Sequence, residues 1–126
     1  MRLVVFLTAA SLPIAGAVAA EPILSPGFRF SEQTGEALYS NACQACHMGN
    51  GEGATGAGQY PALARNPKLE TAAYPTYVVL KGQKAMPAAG RLMTDEQVAA
   101  VVNYVRTHFG NDYGPPTTAE QVKQAR

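Results

Sequence analysis

The clearest amphipathic pattern in the sequence lies towards its C-terminal end. Four apolar residues there follow the i, i+3, i+4, i+7 spacing that places side chains on one face of an α-helix. They are Val98, Val101, Val102 and Val105. The preceding segment Thr94-Asp95-Glu96-Gln97 has the sequence of a capping box, which satisfies backbone N–H groups at a helix N-terminus. We therefore predict a helix that begins after Thr94 and ends near Phe109, with Gly110 as its stop.

A first helix is predicted to begin near Ser31. This serine has the side chain of an N-cap, an acidic residue follows it, and Leu38 and Tyr39 supply apolar positions. The helix is expected to run to about Ala45. Gly35 is a poor helix residue, so we interpret it as a point where a second helix approaches closely.

The middle of the chain is predicted to contain a loop and two short helices. Residues 48–58 include five glycines, which indicates a loop. Asn66-Pro67 has the sequence of an N-cap followed by a proline at the first helical position, which predicts a short helix over residues 68–73. A second helix, begun by a proline, is predicted over residues 76–81, and Gly82 is expected to end it.

The N-terminal segment has a different character from the rest. Met1-Arg2 is basic, residues 3–17 are mostly apolar, and small residues follow as far as Ala20. We predict that residues 1–20 are a signal peptide cleaved near Ala20, or one residue earlier, which implies export to the periplasm. An uncleaved membrane anchor is the alternative, although the apolar run is shorter than the roughly 20 residues that a bilayer requires.

Residues 21–126 are predicted to form one small domain, with residues 21–30 as an extended leader and residues 111–126 as a polar tail. Residues 118–126 of this tail fit either a short helix or a frayed end. The chain is 47% hydrophobic and 15% charged with a net charge of +1. It has no basic stripe, so nucleic-acid binding is not expected. No later stretch reaches membrane-spanning length, so stable membrane insertion is not expected either.

The candidate chemistry lies in the sequence Cys43-Gln44-Ala45-Cys46-His47, which contains both cysteines of the chain. The C-x-x-C-H pattern is typical of covalent c-type haem attachment. Each thiol adds to one haem vinyl group, and His47 then lies where its imidazole can ligate the iron. A disulfide, a thioredoxin-like dithiol and a zinc site are the alternatives. The dithiol requires a βαβ setting. A zinc site requires four ligands, and outside the motif only His108 remains to supply one.

With its flanking residues, this motif makes the chain resemble bacterial class I cytochromes c over essentially all of residues 21–126. The resemblance implies an all-α fold in which the N- and C-terminal helices cross, and short helices and loops surround one covalent haem c. In that family a glycine and an aromatic residue, here Gly35 and Tyr39, meet the last helix. The matching positions on that helix are Val101 and Tyr104.

The resemblance also assigns roles to later residues. Pro61 and Leu63 match a Pro-x-Leu segment, whose proline carbonyl accepts a hydrogen bond from the axial histidine and whose leucine packs on the haem. Met86, followed by a proline on a loop before the last helix, matches the axial methionine. The other candidates for the sixth iron ligand are Met48, Met93 and His108, of which Met48 adjoins His47 and cannot reach the opposite face of the haem. An open sixth site is the remaining alternative.

Ligation by His47 and Met86 predicts a periplasmic single-electron carrier and not an enzyme. Residues 101–111 resemble cytochromes that serve periplasmic dehydrogenases, which implies a dehydrogenase as donor and a terminal oxidase or another cytochrome as acceptor. An obligate cytochrome subunit of a flavin- or quinone-dependent dehydrogenase complex is one alternative, and a haem enzyme or gas binder with a labile sixth ligand is another. The chain lacks tryptophan and a dense ring of lysines, so strongly electrostatic docking is not expected.

Overall fold

The computed structural model describes residues 28–56 and 58–126. The predicted signal peptide (residues 1–20) and most of the predicted leader (residues 21–30) lie outside the described residues. The described helices are α1 (Gly35–Leu38), α2 (Gln44–His47), α3 (Ala73–Lys81), α4 (Asp95–Thr107) and α5 (Ala119–Ala125). A π-helical turn spans Tyr39–Cys43, 3₁₀ turns span Pro67–Leu69 and Ala89–Leu92, and two short strands, β1 (Ala54–Thr55) and β2 (Gln59–Tyr60), form a hairpin.

The first helix begins later than the sequence predicted. Thr34, and not Ser31, is its N-cap, because the Thr34 hydroxyl accepts a hydrogen bond from the backbone N–H three residues on at 3.2 Å. Residues 31–33 are not helical, and the Gln97 amide donates to the carbonyls of Phe30 and Glu32 at 2.9 and 2.8 Å. A contact with a distant helix, which local sequence does not reveal, therefore delays the start of α1.

The same helical segment continues to His47, beyond the predicted end near Ala45. It does so through the π-helical turn, in which the N–H of Gln44 donates to the carbonyl of Tyr39. Such a turn inserts one extra residue and shifts the direction of every later side chain, and it is frequent at functional sites. The change in side-chain direction therefore occurs at Cys43, the last residue of the π-helical turn and the first cysteine of the motif, immediately before α2 begins.

Helix α1 crosses α4 at Gly35. A Cβ atom at this position would collide with the carbonyl of Ala100 and would lie 2.6 Å from the Cβ of Tyr104. The predicted close approach is therefore confirmed, although Ala100 and not Val101 supplies the backbone contact. The ring centroids of Tyr39 and Tyr104 are 5.7 Å apart, so the predicted aromatic contact is also confirmed.

The helix predicted over residues 68–73 is reduced to the 3₁₀ turn Pro67–Leu69. Asn66 is the N-cap as expected, and its side chain accepts a hydrogen bond from a backbone N–H at 3.0 Å. The turn stops because the Arg106 guanidinium donates hydrogen bonds to the carbonyls of Leu69 and Glu70, both at 2.9 Å. A longer helix would need those carbonyls for its own N–H groups.

Helix α3 begins at Ala73, three residues before the predicted start at residue 76. Pro75 lies within its first turn, where the N–H that proline lacks would have no partner in the helix. Gly82 ends the helix as predicted, with a φ of +75°. The glycine-rich segment, predicted to be a loop, includes β1 and leads directly into β2, and the two strands form a small antiparallel hairpin. The described fold is therefore predominantly and not purely helical.

Helix α4 has the predicted capping box. The Thr94 hydroxyl accepts from the N–H of Gln97 at 3.2 Å, and the Gln97 side chain accepts from the N–H of Thr94 at 2.8 Å. The helix ends at Thr107, two residues before Phe109, near which the end was predicted. It stops early because the Asn111 side chain donates to a carbonyl of its last turn at 2.7 Å.

The polar tail forms helix α5, which begins with a second capping box between Thr118 and Gln121. Val122 of this helix is fully buried in the core. The core surrounds α4, whose four valines are joined by residues from the other elements: Leu38, Leu69, Leu80, Met93 and Val122. Within the described ranges, no helix has both the length and the apolar character needed to cross a membrane.

Candidate haem site

A large cavity lies beside α2, α3 and α4. Its volume is ≈ 1060 Å³, which is just above the roughly 300–1,000 Å³ range of small-molecule and cofactor pockets. All the predicted cofactor-binding residues line it: Cys43, Cys46, His47, Pro61, Leu63 and Met86. Val101, Val102 and Val105 of α4 also line the cavity. The fold therefore brings residues that are distant in sequence to one apolar chamber.

The two cysteines lie three positions apart around the junction of the π-helical turn and α2. Both are free thiols, with Cys43 half-buried and Cys46 exposed. Burial, with a smaller contribution from Cys46, raises the pKa of the Cys43 thiol to about 11. Cys43 is therefore protonated at neutral pH and brings no charge into the apolar cavity.

The His47 ring is buried and held in one orientation. It is 7% exposed, and its Nδ1 lies 2.9 Å from the carbonyl oxygen of Pro61. A carbonyl oxygen only accepts hydrogen bonds, so Nδ1 carries the proton. In the neutral ring this leaves the lone pair on Nε2, which is the form of imidazole that ligates metals.

The segment that carries Pro61 is folded back onto the end of α2. The carbonyl of Gly51 accepts hydrogen bonds from the N–H groups of Leu63 and Ala64 at 2.7 and 2.8 Å. The N–H of Gly53 donates to the carbonyl of His47 at 3.1 Å, and Gly53 has a φ of +65°. The glycine-rich segment thus provides the backbone conformation that presents the Pro61 carbonyl to the histidine.

Two of the four candidate sixth ligands line the cavity. They are Met86, which is half-buried, and Met93, which is 3% exposed within the hydrophobic core. Met86 lies in a tight backbone pair with Gln83, in which each N–H donates to the other carbonyl at 2.9 and 3.0 Å. Neither Met48 nor His108 is among the cavity residues. The His108 ring is exposed and stacks on Tyr104 with centroids 4.0 Å apart.

Two buried polar residues next to the site were missed by the sequence interpretation. Arg106 is 1% exposed, and within the described part of the chain its guanidinium donates to three backbone carbonyls, including that of the cavity residue Leu69. Arg106 lies four residues after Val102, on the same helix face as the apolar stripe, and this position was the available sequence signal that its side chain is buried. Asn111 is 5% exposed and donates to the carbonyl of Leu63. Its sequence indicated only a turn.

The residues present fit a covalently attached haem. Two thiols and one imidazole stand together at the cavity, and the imidazole has its Nε2 lone pair free of the Pro61 hydrogen bond. Nitrogen and thioether sulfur are the axial ligands that c-type haem iron takes from proteins. Leu63 and the α4 valines supply the apolar surface that a porphyrin ring requires.

The comparisons with known proteins identify cytochrome relatives of this chain. The family model described as cytochrome C oxidase, cbb3-type, subunit III matches residues 31–105. The chain is 35% identical over 107 residues to the fructose dehydrogenase cytochrome subunit of Gluconobacter japonicus. It is 32% identical over 109 residues to the gluconate 2-dehydrogenase cytochrome c subunit of Pantoea cypripedii. It is 31% identical over 106 residues to the alcohol dehydrogenase (quinone) cytochrome c subunit of Gluconacetobacter polyoxogenes.

These matches cover most of the chain but little of each relative. They include 73%, 75% and 73% of this chain. They span only 22%, 24% and 22% of the respective relatives. The likeness therefore concerns one cytochrome unit, and not the whole of those larger subunits.

Proposed function

This chain belongs to the family of cytochrome C oxidase, cbb3-type, subunit III, and on that premise we propose that it is a periplasmic single-electron carrier with His47 and Met86 as iron ligands. Membership of the family means that it holds haem c covalently, and that it is an electron-transfer component and not an enzyme. The observation that carries the proposal is the hydrogen bond of 2.9 Å between the His47 ring and Pro61, made beside two free thiols in a cavity that Met86 also lines.

Cys43 and Cys46 are the residues that would form the two thioether links, and His47 and Met86 would ligate the iron. When bound, the haem supplies a ferric/ferrous couple that accepts and releases one electron. The chain's own residues set the environment of that couple. The Pro61 carbonyl holds the Nδ1 proton of His47, which orients the ring and increases its basicity as a ligand.

Met86 is the better sixth ligand of the two cavity methionines. Met93 is packed into the core, where its side chain fills space among apolar neighbours. Met86 is half-buried in a segment of small residues that includes Ala85 and Pro87, and that segment borders the cavity. A thioether ligand favours the reduced iron and raises the reduction potential, which suits a carrier that accepts electrons from a dehydrogenase.

The proposed electron donor is a periplasmic dehydrogenase, and the proposed acceptor is a terminal oxidase or another cytochrome. The names of the three relatives support the donor, because each designates a cytochrome subunit of a dehydrogenase. The same names favour a second candidate role, in which this chain is a fixed subunit of a dehydrogenase complex. Purification from the native host separates the two roles, because a subunit remains bound to a large flavin or quinone protein and a free carrier does not.

Export is part of the proposal and rests on the sequence of residues 1–20. Cell fractionation should place the holoprotein in the periplasm, and sequencing of its N-terminus should begin at Glu21 or Ala20. A protein found in the cytoplasm with residues 1–20 retained would contradict this part of the proposal alone.

The electron-carrier function is tested on the purified holoprotein. A potentiometric titration should follow a one-electron curve, and the ferrous protein should bind carbon monoxide only slowly because both axial positions are filled. Rapid carbon monoxide binding by the unmodified protein would contradict the proposal and would support the gas-binding alternative.

A further inference from the structure

Asn111 is a buried side chain with every part of its amide in use. It is 5% exposed, and its Nδ2 donates to the carbonyls of Leu63 and Val105 at 2.8 and 2.7 Å. Its Oδ1 accepts from the N–H of Asn66 at 3.0 Å. The Asn111 side chain therefore links Val105, in the last turn of α4, to the first and last residues of the segment 63–66.

This contact lies directly behind the segment that orients His47. Leu63 is two residues beyond Pro61, whose carbonyl receives the Nδ1 proton of the histidine. A second long-range hydrogen bond, from the N–H of Arg65 to the carbonyl of Phe109 at 3.2 Å, reinforces the same junction. The position of the Pro61 carbonyl therefore depends on the residues that follow α4.

We propose that Asn111 is a positioning residue for the axial histidine: it holds the Pro61–Leu63 segment in place and so maintains the hydrogen bond that sets the ligand strength of His47. The inference rests on the proposed function, since it takes His47 as an iron ligand. Asn111 is not among the residues that line the cavity, so it would act on the site through the carbonyl of Pro61.

The physical consequence is a change in the reduction potential. A hydrogen bond from Nδ1–H to a carbonyl makes the imidazole a more basic ligand, which stabilises ferric iron more than ferrous iron. When the Asn111 amide is removed, the Pro61 carbonyl is less firmly held and the hydrogen bond weakens. The reduction potential then rises, and the Nδ1 proton of His47 exchanges faster with solvent.

The chain offers a matched control in Asn103. This asparagine of α4 also bridges to a distant backbone, since its Nδ2 donates to the carbonyl of Thr117 and its Oδ1 accepts from the N–H of Thr117, both at 2.8 Å. It ties down the segment that leads into α5, and it is not among the cavity residues. Loss of this amide removes bonds of the same kind without touching the Pro61–Leu63 segment.

The experiment compares Asn111→Ala and Asn103→Ala in the holoprotein. Asn111→Ala should raise the reduction potential and speed exchange of the His47 Nδ1 proton in the ferrous protein by about tenfold, as local opening becomes easier. Asn103→Ala should leave both quantities unchanged. Equal effects from the two variants, or no effect from Asn111→Ala, would overturn the proposal.

A second variant covers the case in which Asn111→Ala fails to fold. Asn111→Asp keeps the acceptor that Asn66 uses and loses both donors, and it is assessed by proton exchange because a new carboxylate shifts the potential by itself. Faster exchange of the His47 Nδ1 proton is expected here too, and unchanged exchange would contradict the proposal. If the unmodified protein lacks His47 ligation, the proposed function fails; if ligation is present and the variants behave alike, only the role of Asn111 fails.

Discussion

The two walls of the cavity that would hold the iron are fixed in different ways. The histidine wall (His47 with residues 60–66) is held from outside by the residues that follow α4, through the Asn111 side chain and the carbonyl of Phe109. The methionine wall (residues 82–89) is held by main-chain hydrogen bonds between near neighbours, such as the reciprocal pair of Gln83 and Met86. One wall thus depends on long-range contacts and the other on a local turn.

This difference predicts how the two axial ligands behave. Segments held by a few local hydrogen bonds open at a lower free energy than segments tied into the core. The methionine wall is therefore expected to release its ligand first under mild denaturant, while His47 stays attached through its helix and its neighbouring thioethers. The proposed site would therefore combine one firmly held ligand, His47, with one ligand that exchanges more easily, Met86.

The largest effect is expected from loss of the covalent haem that both walls would hold. The double variant Cys43→Ala, Cys46→Ala removes the thiols that would anchor the haem, so covalent haem is lost. The cavity of ≈ 1060 Å³ then lacks the group that fills it, and we expect the chain to be largely unfolded. Circular dichroism and pyridine haemochrome assays measure both losses, and a folded haem-free variant would be inconsistent with this account.

Two glycines give a matched way to disturb one wall at a time. Gly53 (φ +65°) and Gly82 (φ +75°) both have a positive φ, a backbone conformation that favours glycine. A Cβ on Gly53 would collide with the carbonyl of Tyr60, and a Cβ on Gly82 would lie 2.7 Å from the carbonyl of Met86. Each alanine variant should lower the free energy of unfolding by about 2–4 kcal/mol, from backbone strain and the clash together.

The spectroscopic effects of the two variants should differ. Gly82→Ala should weaken methionine ligation while leaving the His47 Nδ1 proton slow to exchange. Gly53→Ala should speed the exchange of that proton while leaving methionine ligation intact. Gly56→Ala is the control, since a Cβ there meets no atom within 4 Å among the described residues beyond its chain neighbours, and its effect should stay within about 0.5 kcal/mol. If both variants disturbed both ligands equally, the two walls would not be independent.

A smaller, pH-dependent effect is expected at Tyr39, which is 2% exposed and donates to the carbonyl of Met48 at 2.6 Å. Burial, followed by smaller charge effects of Cys43, Glu52 and Tyr104, raises the pKa of Tyr39 from 10.0 to about 12. The unfolded chain therefore loses this proton first as the pH rises. The stability from the neutral phenol is complete below pH 10 and declines by about 2 kcal/mol as the pH approaches 12.

Denaturant titrations at increasing pH measure this effect, with Tyr39→Phe as the comparison. The phenylalanine variant lacks the hydroxyl and should lose less stability over the same alkaline interval than the unmodified protein. Parallel stability curves for the two proteins would show that the Tyr39 phenol does not contribute in the way its burial implies.

Features with a local cause were predictable from the sequence. The capping box at Thr94, the N-cap at Asn66 and the stop at Gly82 follow from side chains within a few residues of the backbone groups that they satisfy. The approach of Gly35 to α4 was also predictable, because a glycine in a helix indicates a close neighbour.

Features with a distant cause were not predictable. The late start of α1 depends on Gln97, some 65 residues away, and the short turn at Pro67–Leu69 depends on Arg106. Asn111 has the sequence of an ordinary turn residue, and only the fold shows that its amide reaches the segment beside Pro61. In each case a side chain that is distant in sequence donates a hydrogen bond to a backbone carbonyl, and the neighbouring residues give no sign of that bond.

The most direct test of the account is the identity of the sixth ligand, measured by the sulfur-to-iron band in the far-red ferric spectrum. Met86→Leu and Met93→Leu are matched variants, since leucine keeps nearly the volume of methionine and removes only the sulfur. We predict that the band is present in the unmodified protein and in Met93→Leu and is absent in Met86→Leu, which also gains rapid carbon monoxide binding. A band that persists in Met86→Leu, or that disappears in Met93→Leu, would contradict the account.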